Sequence, residues 1–248
     1  RAHMLAVIDP LNIEEKKTED ELNLSLTNFG FKKEDIDKKI DITEELSIAG
    51  NTTVGELYKF LNDTYTGSIA AEFSHVENVE ARGWLYNQLE DTSDKQNFSE
   101  EQQKNNLQDL VEIEGFEQYL HARFPGAKRF SVEGADTSII CLNWAIKYAS
   151  ELGVDDVVLG MAHRGRLSTL TKVMKKPYRA IFAEFMGSSA FPEDLDIAGD
   201  VKYHLGYSSD RIIGDKEIHL SLTPNPSHLE AVNPVVAGKI RAKQDLKG

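Results

Sequence analysis

The chain of 248 residues is 40% hydrophobic and 28% charged, which suits one large or two ordinary folded domains and excludes a membrane span or general disorder. A single cysteine, Cys141, excludes a disulfide framework and a multi-cysteine zinc site, and it suits a reducing compartment. The whole chain has a net charge of −13, and residues 1–125 carry 26 acidic but only 12 basic side chains. Nucleic-acid binding is therefore disfavoured, and an anion site is expected in the second half of the chain.

The first half is typical of short helices and polar connections with little strand signal. Thr53 and Glu56 form a capping-box pattern, and Leu57, Phe60 and Leu61 follow at helical spacing. Residues 82–90 have a second helical pattern, and residues 91–108 are polar enough for a loop or an exposed helix. Residues 1–125 are therefore interpreted as a mainly helical N-terminal segment.

The second half alternates helical and strand patterns. A helix capped by Asp136 is predicted to end at Gly153, and a buried strand follows. The later elements are helices at 167–174 and 180–185, a strand at 218–222, a proline turn at 223–226 and helix starts at 227–230 and 233–234. This order predicts an α/β layer with a mostly parallel sheet over residues 126–248, with ligands at the carboxyl ends of the strands.

The segment Gly160–Leu167 joins the buried strand to a helix and carries His163, Arg164 and Arg166 around Gly165. Arginine offers a planar fork of donors, and a glycine lets the backbone approach a ligand closely. The segment therefore predicts a site for a dianion such as a diphosphate or a dicarboxylate. Pairing of both arginines with local acids is an equally weighted alternative.

Two further segments combine polar and aromatic residues with constrained backbone. Gly199–Ser208 is interpreted as an ordinary surface loop or, less favoured, as the lining of a site. Asn225–His228 predicts either an anion-binding turn or a well-capped helix start. Gly199–Asp200 followed by Asn225 imitates a diphosphate-metal motif, but Val201 and Pro226 stand where that motif needs glycine and asparagine. No metal site is predicted.

Arg129–Gly134 is a strand-like run that leads into the Asp136 helix, and its pattern alone favours a core position for Phe130. Cys141 falls on the apolar side of the predicted helix, which favours a buried and inert thiol. The remaining histidines, His3, His75, His121 and His219, have no zinc-ligand spacing and are interpreted as structural or surface residues.

Four segments, taken together and in order, resemble the E1 component of 2-oxoglutarate dehydrogenases: Arg129–Gly134, Gly160–Leu167, Gly199–Gly206 and Asn225–Glu230. The opening residues 1–11 and the run Glu72–Val76 are also similar to that family, so the resemblance covers nearly the whole chain. It implies that residues 126–248 are the first, incomplete part of a thiamine-diphosphate-binding α/β domain.

The resemblance also implies chemistry and partners. Enzymes of this family use thiamine diphosphate and Mg²⁺ to decarboxylate 2-oxoglutarate in the tricarboxylic acid cycle, and they pass the succinyl group to a lipoyl domain of the E2 succinyltransferase. The family forms homodimers within a multienzyme complex. By its pattern, His163 and His204 are catalytic and line the substrate pocket with Phe130 and Ser208. The cofactor diphosphate is expected beside Arg164, Ser227 and Leu229.

The chain departs from the family in extent. It ends at Gly248, just before the expected position of the Gly-Asp metal motif, so a fragment that is inactive alone is predicted. A 2-oxoadipate-preferring enzyme and a non-catalytic anion-binding or interaction module remain alternatives; the reading frame after Gly248 distinguishes the module from the fragment. With no signal or transit peptide visible, bacterial cytoplasm is favoured over the mitochondrial matrix.

Overall fold

The computed structural model describes residues 1–42, 51–91, 98–187, 204–225 and 228–247. These fall into two compact units, Arg1–Asn97 and Phe98–Gly248. The second compact unit therefore begins at Phe98, earlier in the chain than residue 126. The domain boundary at residue 125 stays a prediction. Among the described residues, no helix combines the length and the hydropathy needed to cross a bilayer.

The first unit is built from short elements, as its sequence predicts. The 3-10 helices Ala2–Leu5, Leu26–Phe29 and Lys33–Asp35 precede the antiparallel pair β1 (Lys39–Asp41) and β2 (Asn51–Thr53), and helices α1 (Val54–Tyr65) and α2 (Val79–Glu90) follow. The predicted capping box is confirmed at α1. The Thr53 hydroxyl accepts from the Glu56 amide at 3.2 Å, and the Glu56 carboxylate accepts from the Thr53 amide at 2.9 Å.

The second unit contains helices on a mixed sheet. Its helices are α3 (Glu100–Arg123), α4 (Thr137–Glu151), α5 (Arg166–Ser168) with a π-helical turn at Thr169–Val173, α6 (Tyr178–Phe185), a 3-10 turn at Leu229–Val232 and α7 (Asn233–Lys247). Its strands are β3 (Asp156–Leu159), β4 (Tyr207–Ile213) and β5 (Lys216–Leu222). The order is β3-β5-β4: β3 is parallel to β5, and β4 is antiparallel to it. The described sheet is thus mixed rather than mostly parallel.

The core of the second unit lies on one face of this sheet. Ile218, Leu220 and Leu222 of β5 point into it and are fully buried, while the residues between them point to the opposite, outer face. Helices α3, α4 and α6 and the π-helical turn cover the inner face with Ile113, Phe116, Leu120, Ile139, Ile146, Leu170, Val173, Met174 and Ile181. Helix α3, assigned to the N-terminal segment from sequence, therefore supplies core side chains to the second unit.

Helix α4 differs from its predicted form in two details. Asp136 stands at the N-cap, but its side chain makes no capping hydrogen bond and instead accepts from the Gly134 amide at 3.0 Å. Cys141 is exposed, so the expectation of a buried thiol is wrong. The buried stripe runs through Ile139, Ile140 and Ile146, and this places Cys141 at its solvent edge.

Helix α7 packs on the outer face of the sheet and forms ion pairs with β3. Asp156 accepts from Lys243 at 2.6 Å and from Lys247 at 2.5 Å. The hydrogen bond from Lys243, followed by that from Lys247, lowers the pKa of Asp156 to about 2. Because the pKa of Asp156 is lower in the folded chain than its ordinary value of 3.8, the ionised carboxylate stabilises the folded state above about pH 3.8. This contribution is lost as the pH falls through about 2.

We expect Asp156→Asn to lower the free energy of unfolding at pH 7 by about 1 kcal/mol, a value reduced for solvent screening because the lysine partners are partly exposed. Urea unfolding at pH 7 and at a pH near 2 measures the difference. The two proteins should converge at the lower pH, where Asp156 becomes protonated. A difference that persists unchanged there would contradict the assignment to charge.

Candidate functional site

The carboxyl ends of β3 and β5 and the amino end of β4 meet at one edge of the sheet. The side chain of Arg166 joins them. It donates to the carbonyls of Met161 at 3.0 Å, Leu205 at 2.9 Å and Thr223 at 2.6 Å, one carbonyl from each segment. The predicted site segment Gly160–Leu167, the described residues 204–208 of the second segment and the start of the proline turn are therefore brought to the same place.

Arg166 itself is not available to a ligand. Its side chain is fully buried, and burial lowers the pKa of the guanidinium to about 10, which keeps it protonated at neutral pH. The prediction that Arg164 and Arg166 bind a ligand together is thus wrong for Arg166. Backbone carbonyls accept from its two terminal nitrogens rather than local acids, and its buried Nε has no hydrogen-bond partner among the described residues.

Phe130 and His163 form the aromatic part of the site. Their ring centroids lie 4.0 Å apart, with an interplanar angle of 38°. Phe130 has a left-handed backbone with φ of 46°, which is costly for a bulky residue. Its carbonyl accepts from the Gly165 amide at 2.8 Å, which holds that conformation in place. The core position that pattern alone favours for Phe130 is not observed, because the residue is half-buried against His163.

His163 has an unused polar atom. Nδ1 of its imidazole is buried and has no hydrogen-bond partner within the described part of the chain. Buried polar atoms in native proteins are nearly always paired, so an orphan at a strand end indicates a ligand or a water. His163 is thus a group that can donate to, or accept from, a molecule held at this edge.

Gly165 is required where these segments touch. Its φ is 70°, and a Cβ there would lie 2.9 Å from Cβ and Cγ2 of Val132. The absence of a side chain lets the start of α5 approach the segment 129–134 at backbone contact distance. The glycine predicted to allow close approach to a ligand instead allows close approach between two protein segments.

Arg164 points away from the core. Its side chain is exposed, and Nη2 donates to the Glu133 carbonyl at 2.7 Å. Among the described residues it forms no ion pair with a carboxylate, so its charge is available to an anion. Gly134, with φ of 85°, lies beside this guanidinium, and a Cβ there would make an ordinary van der Waals contact with Nη2 at 3.9 Å.

His204 lies at the amino end of β4. Its carbonyl accepts from the Asn225 amide at 3.2 Å, which ties it to the end of β5. Gly206 allows the start of β4 to lie this close to the end of β5, since a Cβ there would lie 2.8 Å from Cδ of Pro224 and 2.9 Å from the Leu222 carbonyl oxygen. Half-buried His204 therefore joins His163 and Arg164 at the same edge of the sheet.

The other predicted residues lie at or beyond this edge. Ser208 is the second residue of β4, exposed on the outer face, with its hydroxyl 3.3 Å from that of Ser221. Leu229, in the 3-10 turn before α7, is 70% exposed. Ser227 lies outside the described residues.

Sequence reasoning missed Glu117 of α3. Its carboxylate accepts from the Val132 amide at 2.9 Å and from the Ser168 hydroxyl at 2.6 Å, so it fixes the segment 129–134 against α5. The i, i+3, i+7 pattern of core residues 113, 116 and 120 around Glu117 could have indicated a buried polar contact, but not its partners.

A cleft of about 810 Å³ lies on the α3 side of this segment. Four carboxylates line it together with Arg129 and His121: Glu114, Glu117, Glu133 and Asp136. The Arg129 guanidinium is already engaged, by His121 at 2.6 Å and by the carbonyls of Phe124 and Ala127. The cleft is thus unsuited to an anion, and the anion-compatible side is the edge that carries Arg164. Nowhere in the described ranges do three or more His, Cys, Asp or Glu side chains group as metal ligands.

No protein-family model matches the chain. Curated proteins do match it from end to end. It is 57% identical over 247 residues to a 2-oxoglutarate dehydrogenase E1 component of Rickettsia felis, and 55% identical over 247 residues to that of Rickettsia conorii. The corresponding protein of Brucella canis is 46% identical over 246 residues. These matches cover 99 to 100% of this chain, which spans about a quarter of the length of the relatives.

Proposed function

We propose that this chain is a segment of a 2-oxoglutarate dehydrogenase E1 component and that it contributes the sheet edge on which substrate and cofactor diphosphate are held. The observation that carries the proposal is the similarity along the whole chain to enzymes of that name. The meeting of His163, Arg164 and His204 at one sheet edge supports it, since these are the residues that the family pattern assigns to the site.

The residues present fit an anionic cofactor. Arg164 has an exposed guanidinium with no carboxylate partner among the described residues, and His163 has a buried nitrogen without a partner there. Thiamine diphosphate, when bound, supplies a nucleophilic carbon and an electron sink for decarboxylation. Arg164 would hold its diphosphate, with Ser227 and Leu229 nearby; the described residues include no group of His, Cys, Asp or Glu that could hold the Mg²⁺.

The chain's own residues have distinct tasks in the proposed reaction. His163 and His204 line the substrate pocket and hold or move protons at their ring nitrogens. Phe130 packs against His163 and keeps its ring orientation fixed, which also shields the reacting end of the substrate from water. Ser208 binds the distal carboxylate of 2-oxoglutarate. The succinyl group would pass to the lipoyl domain of the E2 succinyltransferase, and the complete site would form in a homodimer in the bacterial cytoplasm.

Arg164→Gln tests the diphosphate contact in the full-length E1 protein that contains this segment. We expect the Kd for thiamine diphosphate to rise about tenfold or more, because a charge-assisted bidentate contact is lost. Calorimetric titration with the cofactor and Mg²⁺ measures it. The matched control is Arg179→Gln, an exposed arginine on α6, which should leave the Kd unchanged. Equal Kd values for wild type and Arg164→Gln would contradict the contact.

The activity has its own test. Full-length protein supplied with thiamine diphosphate, Mg²⁺ and 2-oxoglutarate should release carbon dioxide, and the 248-residue chain alone should not. A higher kcat/KM with 2-oxoadipate would reassign the substrate within the class, since one methylene changes discrimination only modestly. Turnover by the isolated chain, or none by the full-length protein, would overturn the proposal.

A further inference from the structure

A row of four polar side chains crosses the outer face of the β4–β5 pair. The register places Ser208 opposite Ser221 and Asp210 opposite His219. Because side chains alternate along a strand, all four project from the same face, opposite the core face that carries Ile218 and Leu220. His219 therefore has a defined environment, although sequence reasoning treats it as a structural or surface residue.

These side chains form a continuous hydrogen-bond chain, which we call the relay. The Asp210 carboxylate lies 2.5 Å from Nδ1 of His219, and Nε2 of the same ring lies 3.1 Å from the Ser221 hydroxyl. The Ser221 hydroxyl lies 3.3 Å from that of Ser208. Ser221 is 1% exposed, so water does not compete for its hydrogen bonds.

The charge on His219 decides the direction of every hydrogen bond in the relay. A carboxylate only accepts, so Asp210 fixes the hydrogen of the neutral ring on Nδ1. Nε2 then accepts from Ser221, which in turn accepts from Ser208, and the Ser208 hydrogen points inward. When Nε2 is protonated the order reverses: His219 donates to Ser221, Ser221 donates to Ser208, and the Ser208 hydrogen is free to point outward.

We propose that His219 is a positioning residue that couples carboxylate binding at Ser208 to uptake of one proton. A substrate carboxylate can only accept, so it is bound by the arrangement in which the Ser208 hydrogen points outward. The proton comes from solvent, adds to Nε2 and stays there while the ligand is bound. The inference rests on the proposed function, in which that carboxylate is the distal one of 2-oxoglutarate.

The other charged groups near His219 do not replace Asp210 in this role. Asp156 of β3 lies opposite His219 in register, but Lys243 and Lys247 of α7 hold it, and their hydrogen bonds keep its pKa at about 2. Glu217 is on the same face two residues earlier on β5 and is exposed. Asp210 is thus the carboxylate in hydrogen-bond contact with the ring.

The test compares full-length E1 protein with its Ser221→Ala and His219→Gln variants, with Glu217→Gln as the control. In wild type we expect the KM for 2-oxoglutarate to rise with pH, by up to about tenfold per unit, because binding then requires the uptake of one proton. Both relay variants should have a flatter KM profile with kcat within about twofold of wild type, and the control should keep the wild-type profile.

Calorimetric titration of glutarate in two buffers with different ionisation enthalpies counts the protons directly. On binding glutarate, the wild-type protein should take up about one proton more than the Ser221→Ala variant. This substitution deletes only the hydroxyl oxygen of Ser221 and retains the His219–Asp210 pair. Equal pH profiles and equal proton uptake in wild type and both variants overturn the relay alone. If wild type itself does not turn over 2-oxoglutarate, the proposed function fails, and the relay loses its substrate with it.

Discussion

Replacing Arg166 by methionine is expected to lower the free energy of unfolding of the second unit by about 3 to 5 kcal/mol. Methionine fills a similar volume but leaves the carbonyls of Met161, Leu205 and Thr223 without their charged donor. Each lost hydrogen bond to a charged group costs about 1.5 to 3 kcal/mol, partly offset because the burial of a charge is no longer needed. Urea unfolding followed by circular dichroism measures the change.

Arg164→Met is the matched control for this substitution. The same chemical change is made two residues away, at an exposed side chain with one hydrogen bond to the Glu133 carbonyl. Surface contacts of this kind are worth less than about 1 kcal/mol, so its unfolding midpoint should stay near that of wild type. If the two variants lose similar stability, Arg166 does not hold the three segments together.

Gly165→Ala is expected to cost about 3 kcal/mol. The left-handed backbone accounts for about 1 to 2 kcal/mol of this, because alanine is strained at φ of 70°. The rest comes from overpacking, since the new methyl group would lie 2.9 Å from Val132 and something must move. Because Gly165 donates to the Phe130 carbonyl, the displacement should also alter the environment of His163, visible as a shift of its ring resonances by NMR.

Gly153→Ala separates the two contributions. Gly153 also has a left-handed backbone, with φ of 86°, but no atom lies within 4 Å of the position its Cβ would take. Alanine there should cost only the backbone part, about 1 to 2 kcal/mol. Were Gly165→Ala no more destabilising than Gly153→Ala, the close approach to Val132 would not matter for stability.

The sequence is most informative where local pattern and tertiary packing agree. Strand β3 ends in an apolar run that is half-buried, and the segment Gly160–Leu167 follows it with three cationic or titratable side chains, so the place of that segment at a strand end is predictable. Strand β4 is not predicted, although its side chains alternate between half-buried and exposed. Four of its seven residues are polar or charged, and only pairing with β5 makes the segment a strand.

The direction of a side chain is the part that sequence cannot supply. Arg164 and Arg166 look equivalent in the chain, yet one is exposed and the other is fully buried. Arg164 precedes the left-handed N-cap Gly165, whereas Arg166 is the first residue of α5, and the inward position of Arg166 depends on carbonyls 39 and 57 residues away. Glu117 escapes prediction for the same reason, since its partners are Val132 and Ser168.

Helix α3 shows a different limit of prediction from sequence. It is 24 residues long, but its first turns are polar and only Ile113, Phe116 and Leu120 are buried. A periodic apolar stripe is the main sequence signal for a helix, and here it covers a small part of the length. The Ser99–Gln102 capping box marks its start, with hydrogen bonds of 2.8 and 3.2 Å, and is the local signal that could have been used.

The three hydrogen bonds of Arg166 also set an order of events during folding. They join positions separated by 5, 39 and 57 residues, so the last two can form only after β4 and β5 have docked beside β3. Until then the Arg166 guanidinium stays hydrated, and the segment with His163 after β3 is independent of the segment with His204 before β4. The sheet edge that Arg166 joins is thus completed late, and in native-state hydrogen exchange it should be among the first regions of the second unit to open.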